Sequence, residues 1–351
     1  MSKVLMKGNE AIAQAAISAG CTAFFGYPIT PQNEICEYMA KYLPKNNGVF
    51  VQAESELAAI NMVYGASAAG GRVMTSSSSP GLALKQEGIS YCAGAELPAV
   101  IVSISRGGPG LGGILPAQGD YNQATRGGGN GDYHIIVLAP NGVQEATDMV
   151  RKAFYLADKY RNPVIVMADG VIGQMMEPVE IHQEPVETFD KPWASNGDLS
   201  RGHRNVVNSL FLNPAKLEQH NIDLRAKYDL IEENEVDYEC SLCDDAEVIL
   251  VAYGTPSRIV KSAINALREE GIKAGLFRPK SLYPFPYKQL KEVSMNKKFV
   301  LCAELSMGQM VQDVRLAVEG CVPVHFYGRA GGIVFEPSEI ANAVKKHLGG
   351  Q

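Results

Sequence analysis

The chain has 351 residues, 46% of them hydrophobic and 20% charged, so it can bury a sizeable core and about two domains are expected. Its net charge of -6 argues against nucleic-acid binding, which wants a basic face. No run approaches the ~18 apolar residues of a membrane span, and Met1–Lys7 is too short for a signal core before Gly8 interrupts it. A cytoplasmic protein with no membrane role is expected.

Gly8 to Gly20 places Ala11, Ile12, Ala15, Ala16 and Ala19 at helical spacing and ends on a glycine cap. Thr22 to Phe25 reads as a short strand whose carboxyl end opens into Gly26-Tyr27-Pro28-Ile29-Thr30-Pro31, and Glu34 to Tyr42 as a second helix. Val49-Phe50-Val51 has the β-branched and aromatic residues of a buried strand. The helix after it, from Leu57, is apolar on every side and is expected to be buried rather than amphipathic. Glu54 and Glu56 stand at that junction, around the helix's first turn. The dipole favours a carboxylate there, while the apolar elements on both sides would desolvate it. Two apart, the pair does not share a face, so at most one points into a given cleft. The alternative is two solvated carboxylates.

Arg72 to Thr75 is strand-like and runs into the turn-forming Ser76-Ser77-Ser78-Ser79-Pro80-Gly81. A helix to about Ala93, a strand over Ala99 to Ile104 and a glycine-rich region from Arg106 to Gly131 follow. Then come strand His134 to Leu138, helix Val143 to Tyr160 and strand Pro163 to Ala168. This alternation implies an α/β fold with a doubly wound, mostly parallel sheet. Near Glu177 the composition shifts to Pro, Asn, Glu and aromatic residues, and the segment to about Asp245 reads as a connector wrapping the surface, with a helix over Asn213 to Asn234. From Glu247 the rhythm resumes, with strands over Val248 to Ala252, Ala274 to Arg278 and Lys298 to Ala303, and helices over Ser257 to Glu270 and Met310 to Glu319. The expected division is therefore 1–180, 181–245 and 246–351, the last a smaller α/β domain.

Ligands of open α/β sheets sit at the carboxyl ends of strands. Four loops fall there: Tyr27 to Pro31, Gln52 to Glu56, Thr75 to Gly81 and Arg106 to Gly113. Pro28 and Pro31 bracket and stiffen Thr30, which would orient its hydroxyl. Arg106 could clamp a carboxylate or phosphate bidentately, or be a surface arginine paired with an aspartate. Gly108-Pro109-Gly110-Leu111-Gly112 lacks dinucleotide-loop spacing. Asp169-Gly170 with Asn196 has the spacing of a magnesium–diphosphate motif but not the helix it needs between them. The seven cysteines are odd in number and mostly in apolar surroundings, so reduced core thiols are expected. Cys240 and Cys243 form a C-x-x-C pair without the second pair zinc would want or the longer run of an iron–sulfur cluster, and read as structural.

Several motifs occur in order: Gly26-Tyr27-Pro28-Ile29-Thr30-Pro31, Gln52-Ala53-Glu54-Ser55-Glu56-Leu57-Ala58, Thr75 to Gly81, Arg106-Gly107-Gly108-Pro109-Gly110, Gln118-Gly119-Asp120-Tyr121, Gly131-Asp132-Tyr133 and Asp169-Gly170-Val171-Ile172-Gly173-Gln174. With Arg278-Pro279 and Glu304 to Gln309, the chain closely resembles the alpha subunit of 2-oxoacid:ferredoxin oxidoreductases, nearest the form acting on 3-methyl-2-oxobutanoate. The resemblance implies a thiamine-diphosphate pyrimidine-binding domain followed by a transketolase-C-like domain. It implies Glu56 as the catalytic carboxylate on the cofactor's aminopyrimidine. Tyr27, Pro28, Ile29, Ser78 and Ser79 are implied as cofactor contacts, and Thr30 and Arg106 as the hold on the substrate carboxylate. It places the diphosphate/Mg2+ domain on a beta subunit and [4Fe-4S] clusters on partner subunits, with gamma and delta subunits completing the complex, coenzyme A as co-substrate and ferredoxin as acceptor. Three alternatives stay open. One is pyruvate or 2-oxoglutarate as substrate, the latter wanting a second cation such as Arg126. The others are a non-catalytic scaffold subunit and a free-standing dinucleotide-binding oxidoreductase.

Overall fold

A computed structural model describes residues 3–349. Met1, Ser2, Gly350 and Gln351, where the expected first and last segments end, lie outside the described residues. The first part runs β1 (Val4–Lys7), α1 (Gly8–Ser18), β2 (Ala23–Gly26), α2 (Asn33–Tyr42), β3 (Val49–Gln52), α3 (Glu56–Ala68), β4 (Val73–Ser77) and α4 (Ser79–Gly94). It continues with β5 (Ala99–Ser105), α5 (Tyr121–Thr125), β6 (Ile136–Leu138), α6 (Val143–Tyr160), β7 (Pro163–Asp169), α7 (Gly170–Gln174) and β8 (Met176–Val179). After α8 (Pro214–Asn234) come β9 (Tyr238–Ser241), β10 (Val248–Val251), α9 (Gly254–Glu269), β11 (Ala274–Pro279) and β12 (Ser281–Tyr283). The chain closes through α10 (Tyr287–Ser294), β13 (Phe299–Glu304), α11 (Met310–Val318), β14 (Val324–Gly328) and α12 (Pro337–Gly349).

The main sheet has the order β12-β6-β7-β5-β4-β2-β3, parallel throughout except for β12. Strands β5 and β7 are buried at every position, with Ile101 opposite Ile165 and Val102 opposite Val166. Both read as nearly continuous apolar runs, polar only at Ser103, Ser105 and Asp169, because helices cover both faces. Ile101 and Ile165 pack with Ile60, Val63, Leu82 and Ile89 of α3 and α4. Val100, Val102 and Val166 face Ile12, Val150 and Phe154 of α1 and α6. Each such side chain contributes roughly 1.5–3 kcal/mol. A second sheet, β14-β13-β10-β11-β9, is parallel except for β9. No helix among the described residues is long and apolar enough to cross a membrane.

Several expectations change. β3 is the outer edge of the main sheet and Val49 is 54% exposed, so this strand is not buried within the chain. Helix α3 buries Ala59, Ile60 and Val63 but exposes Leu57, Asn61 and Gly65 along one stripe. Apolar composition on every side does not reveal which side this chain leaves uncovered. The opening residues form β1, which pairs antiparallel with β8. β8 and β9 lie in a stretch expected to have little strand content, and β14 and α12 lie beyond the last element expected. Four-residue strands offer too few alternations to stand out. The segment after β8 lies on the surface, tied down where Arg72 donates to Glu187 O (2.7 Å), Ser195 N to Ala68 O (2.8 Å), and His220 meets Gly94 O (2.7 Å).

Candidate active site

Parallel pairing of β2, β3, β4 and β5 brings all four expected loops to one edge of the sheet. Glu56 is the first residue of α3, and its direction is set by the cap before it. Ser55 has extended backbone and its Oγ accepts from Ala58 N at 3.1 Å, closing the first turn. That turns Glu56 inward, to 6% exposure, and leaves Glu54 exposed. The Glu56 carboxylate packs on the first turn of α4, where residue 81 has no side chain: a Cβ there would lie 2.5 Å from Glu56 Oε1 and collide with Ser77 Oγ. Among the described residues, no group donates a hydrogen bond to this carboxylate.

The loop after β2 is held from beneath by two buried amides that the motifs did not single out. Gln32 Nε2 donates to Tyr27 O (3.1 Å) while its Oε1 accepts from Ser76 Oγ (2.5 Å). Asn9 Nδ2, from α1, donates to Pro31 O (2.8 Å). Both amides are wholly buried, and the signal for them was only a polar residue inside an apolar pattern. The Thr30–Pro31 peptide is cis, and Thr30 Oγ1 accepts from Asn33 Nδ2 at 3.4 Å. Tyr27 and Pro28 are exposed above the loop, with Ile29 and Thr30 half-buried.

Arg106 is buried and meets this loop directly. Its Nη1 donates to Thr30 O (2.9 Å) and Nη2 to Leu111 O (3.2 Å), while Nε has no partner among the described residues. No carboxylate lies within ion-pair distance of it among the described residues, which removes the reading of a surface arginine paired with aspartate. Ser79 Oγ accepts from Arg106 N (3.0 Å) and is hydrogen-bonded to Asp120, so its hydroxyl ties the arginine's backbone to the following glycine-rich loop. Burial pushes the Asp120 carboxyl up, opposed by the Ser79 hydroxyl and the charge of Arg106. Ser78, the residue before α4, keeps a buried Oγ with no partner. Among the described residues, the edge thus gathers a buried carboxylate without a donor, a buried guanidinium without an anion and a hydroxyl without a partner.

Other residues singled out lie elsewhere. Arg126 donates to Asp313 Oδ1 (2.9 Å) at the rim of a cavity of about 750 Å³ between α5, α8 and α10, away from the four loops. Asp169 caps α7, its Oδ1 accepting from Val171 N (2.9 Å) and Thr255 Oγ1 (2.8 Å), and Met176 to Val179 is strand rather than helix. Glu304 caps α11 through Met310 N and Val311 N, both at 3.1 Å, so the motif around it is structural. Cys243 is buried with Sγ donating to Leu276 O (3.1 Å), whereas Cys240 and Cys321 are exposed.

Residues 14–239 match the family model for pyruvate flavodoxin/ferredoxin oxidoreductase, thiamine diP-bdg, and residues 246–340 that for pyruvate:ferredoxin oxidoreductase core domain II. The ketoisovalerate oxidoreductase subunit VorB of Methanothermobacter marburgensis is 51% identical over 350 residues, covering 99% of each chain. The chain belongs to the alpha-subunit family of 2-oxoacid:ferredoxin oxidoreductases. Within that family, the 2-oxoglutarate synthase subunit KorA of Archaeoglobus fulgidus is 40% identical, covering 99% of this chain and 100% of its own. A solved 2-oxoglutarate:ferredoxin oxidoreductase from Magnetococcus marinus superposes with a TM-score of 0.88 at 29% identity over 99% of this chain; the chain spans 65% of that longer one. A split-gene transketolase shares the fold alone, with a TM-score of 0.61 at 16% identity. The expected family and the α/β fold class are borne out: this is one subunit of an oxidoreductase with a thiamine diphosphate-binding domain.

Proposed function

We propose that this subunit orients the aminopyrimidine of thiamine diphosphate and the carboxylate of a branched-chain 2-oxoacid, for oxidative decarboxylation to acyl-CoA, CO2 and reduced ferredoxin. The observation that carries the reading is Glu56, buried at a helix N-terminus and without a donor among the described residues, on the same sheet edge as a buried Arg106 that has no acidic partner among them. A polar ring nitrogen fits the first group and a carboxylate the second. The bound cofactor supplies the carbon nucleophile and the electron sink. Glu56 would hold a proton between its Oε and the ring nitrogen of the bound cofactor, its own burial keeping bulk water from the carboxylate. Arg106, pinned by Thr30 O and Leu111 O, presents its remaining N–H groups to the substrate carboxylate, beside the Thr30 hydroxyl. Ser78 Oγ, Tyr27, Pro28 and Ile29 line the cofactor's side of the same loops.

The diphosphate, its Mg2+ and the [4Fe-4S] clusters fall to partner subunits, a beta chain together with gamma and delta chains. Among the described residues, no cluster of three or more His, Cys, Asp or Glu could hold a metal. Leu57, Leu111 and Ile114, between 46% and 83% exposed beside the site, are apolar surface that a beta subunit would cover. A cytoplasmic complex is proposed.

The relatives named for 2-oxoglutarate favour a second reading, in which that acid is the substrate. It wants a cation for the distal carboxylate. Arg126 is committed to Asp313, and Gly107 to Gly119 contains no charged residue, which supports the branched acid. The test is viologen or ferredoxin reduction by the anaerobically co-purified complex with thiamine diphosphate and coenzyme A, using 3-methyl-2-oxobutanoate, pyruvate and 2-oxoglutarate. Preference for the branched acid, with activity lost in Glu56→Gln, is expected. Preference for another acid discards the substrate; full activity in Glu56→Gln discards the catalytic reading and leaves a scaffold.

A further inference from the structure

Lys85 lies in the middle of α4 and is wholly buried. Its sole hydrogen bond among the described residues runs from Nζ to Thr75 Oγ1 at 2.9 Å, and no carboxylate stands within ion-pair distance. A buried ammonium with so little compensation lowers stability, so packing gives no reason for a lysine here. Its position relative to Glu56 does.

Thr75 and Ser77 are two apart on β4 and face the same way; Gly81 and Lys85 are four apart on α4 and lie on one face. Glu56 packs against the rung formed by Ser77 and Gly81, and Lys85 with Thr75 forms the next rung. Rungs of this kind are about 6 Å apart. Across that distance, with little water between, a positive charge acts strongly on a carboxylate.

We propose that Lys85 is a positioning residue for Glu56: its buried charge favours the ionised carboxylate and so drives the shared proton from Glu56 Oε onto the cofactor's ring nitrogen. One O–H bond breaks and one N–H bond forms, no electrons change hands, and Lys85 keeps its own protons. The inference rests on the function proposed above. Burial pushes the Lys85 ammonium down to about 8, opposed by the charge of Glu56 and then by Cys36. Cys36, from α2, is the other titratable group facing it, and burial pushes that thiol up, so it stays neutral.

The test uses the anaerobic complex with thiamine diphosphate bound. Hydrogen–deuterium exchange at the cofactor's thiazolium carbon is followed by acid quench on both sides of pH 8, in wild type, Lys85→Met, Lys85→Gln and Glu56→Gln. Both Lys85 variants should slow exchange about tenfold below that pH, and the gap to wild type should close above it, as wild-type Lys85 loses its charge. The thermal midpoint of Lys85→Met should hold or rise, because an apolar side chain replaces an uncompensated buried charge. Wild-type exchange in both variants, or an equal loss at every pH with a fallen midpoint, would overturn the proposal. Exchange that survives Glu56→Gln defeats the functional reading itself; exchange lost there but kept in Lys85→Met defeats only the role of Lys85.

Discussion

Replacing Gly81 with alanine tests whether the close approach of α3 to α4 sets the position of Glu56. Helix propensity alone predicts a gain, because Gly→Ala inside a helix stabilises by about 0.5–1 kcal/mol. The packing predicts the opposite. The added Cβ would sit 2.5 Å from Glu56 Oε1, where ordinary contact begins at 3.4 Å, and would also collide with Ser77 Oγ. Ser77 and Glu56 are both buried, so both side chains have to give, Glu56 by about 1 Å to reach ordinary contact. Overpacking of this kind costs about 1–3 kcal/mol, which outweighs the propensity gain. A misplacement of about 1 Å at a reacting group costs about 100-fold in rate. Gly81→Ala should therefore lower kcat for 2-oxoacid-dependent viologen reduction by about 100-fold, and lower stability by about 1–2 kcal/mol in urea unfolding of the complex. A variant that is more stable and retains half or more of its activity would refute the argument, since Glu56 would then tolerate the methyl without moving.

Arg106→Met should lower kcat/KM for any 2-oxoacid by about 10- to 150-fold, the worth of one charge-assisted hydrogen bond, and lower the thermal midpoint as well, because Thr30 O and Leu111 O lose their donor and buried Asp120 loses a nearby positive charge. Arg72→Met should be costly to stability. Asp158 pairs with Arg72 Nε (2.8 Å) and Lys191 Nζ (2.9 Å) in the interior, and removing one buried partner costs about 3–5 kcal/mol, read by denaturant unfolding. Glu239 is pushed up by burial but held down to about 2 by hydrogen bonds from Lys261 and Arg278. A depressed folded value means the stabilisation is present above the unfolded value of 4.5 and lost as pH falls towards about 2. The difference in thermal midpoint between wild type and Glu239→Gln should accordingly shrink across that window, and a constant difference would show that the carboxylate's charge is not what matters.

The sequence by itself determined the parts of this protein that depend on local pattern. The apolar runs of β5 and β7 are long and nearly continuous, so their strands and their burial were both legible. Helices α6 and α8 lie within one residue of the expected Val143 to Tyr160 and Asn213 to Asn234. The loops carrying Thr30, Glu56 and Arg106 were legible because parallel strands put every carboxyl end on one edge, whatever the strand order. The tertiary structure alone decided which of two neighbouring carboxylates turns inward, through the Ser55 cap and the missing side chain at Gly81. It alone showed that Arg106 has no anion among the described residues, and that Arg126 already has one in Asp313, 187 residues away along the chain. It also moved Val49 to Gln52 from the interior to an edge, joined Val4 to Lys7 with Met176 to Val179, and put Ser281 to Tyr283 into the first sheet. Those pairings are distant in sequence and each strand is only three or four residues long. A residue's pattern reports what kind of surroundings it suits, and its function depends on which distant groups supply them.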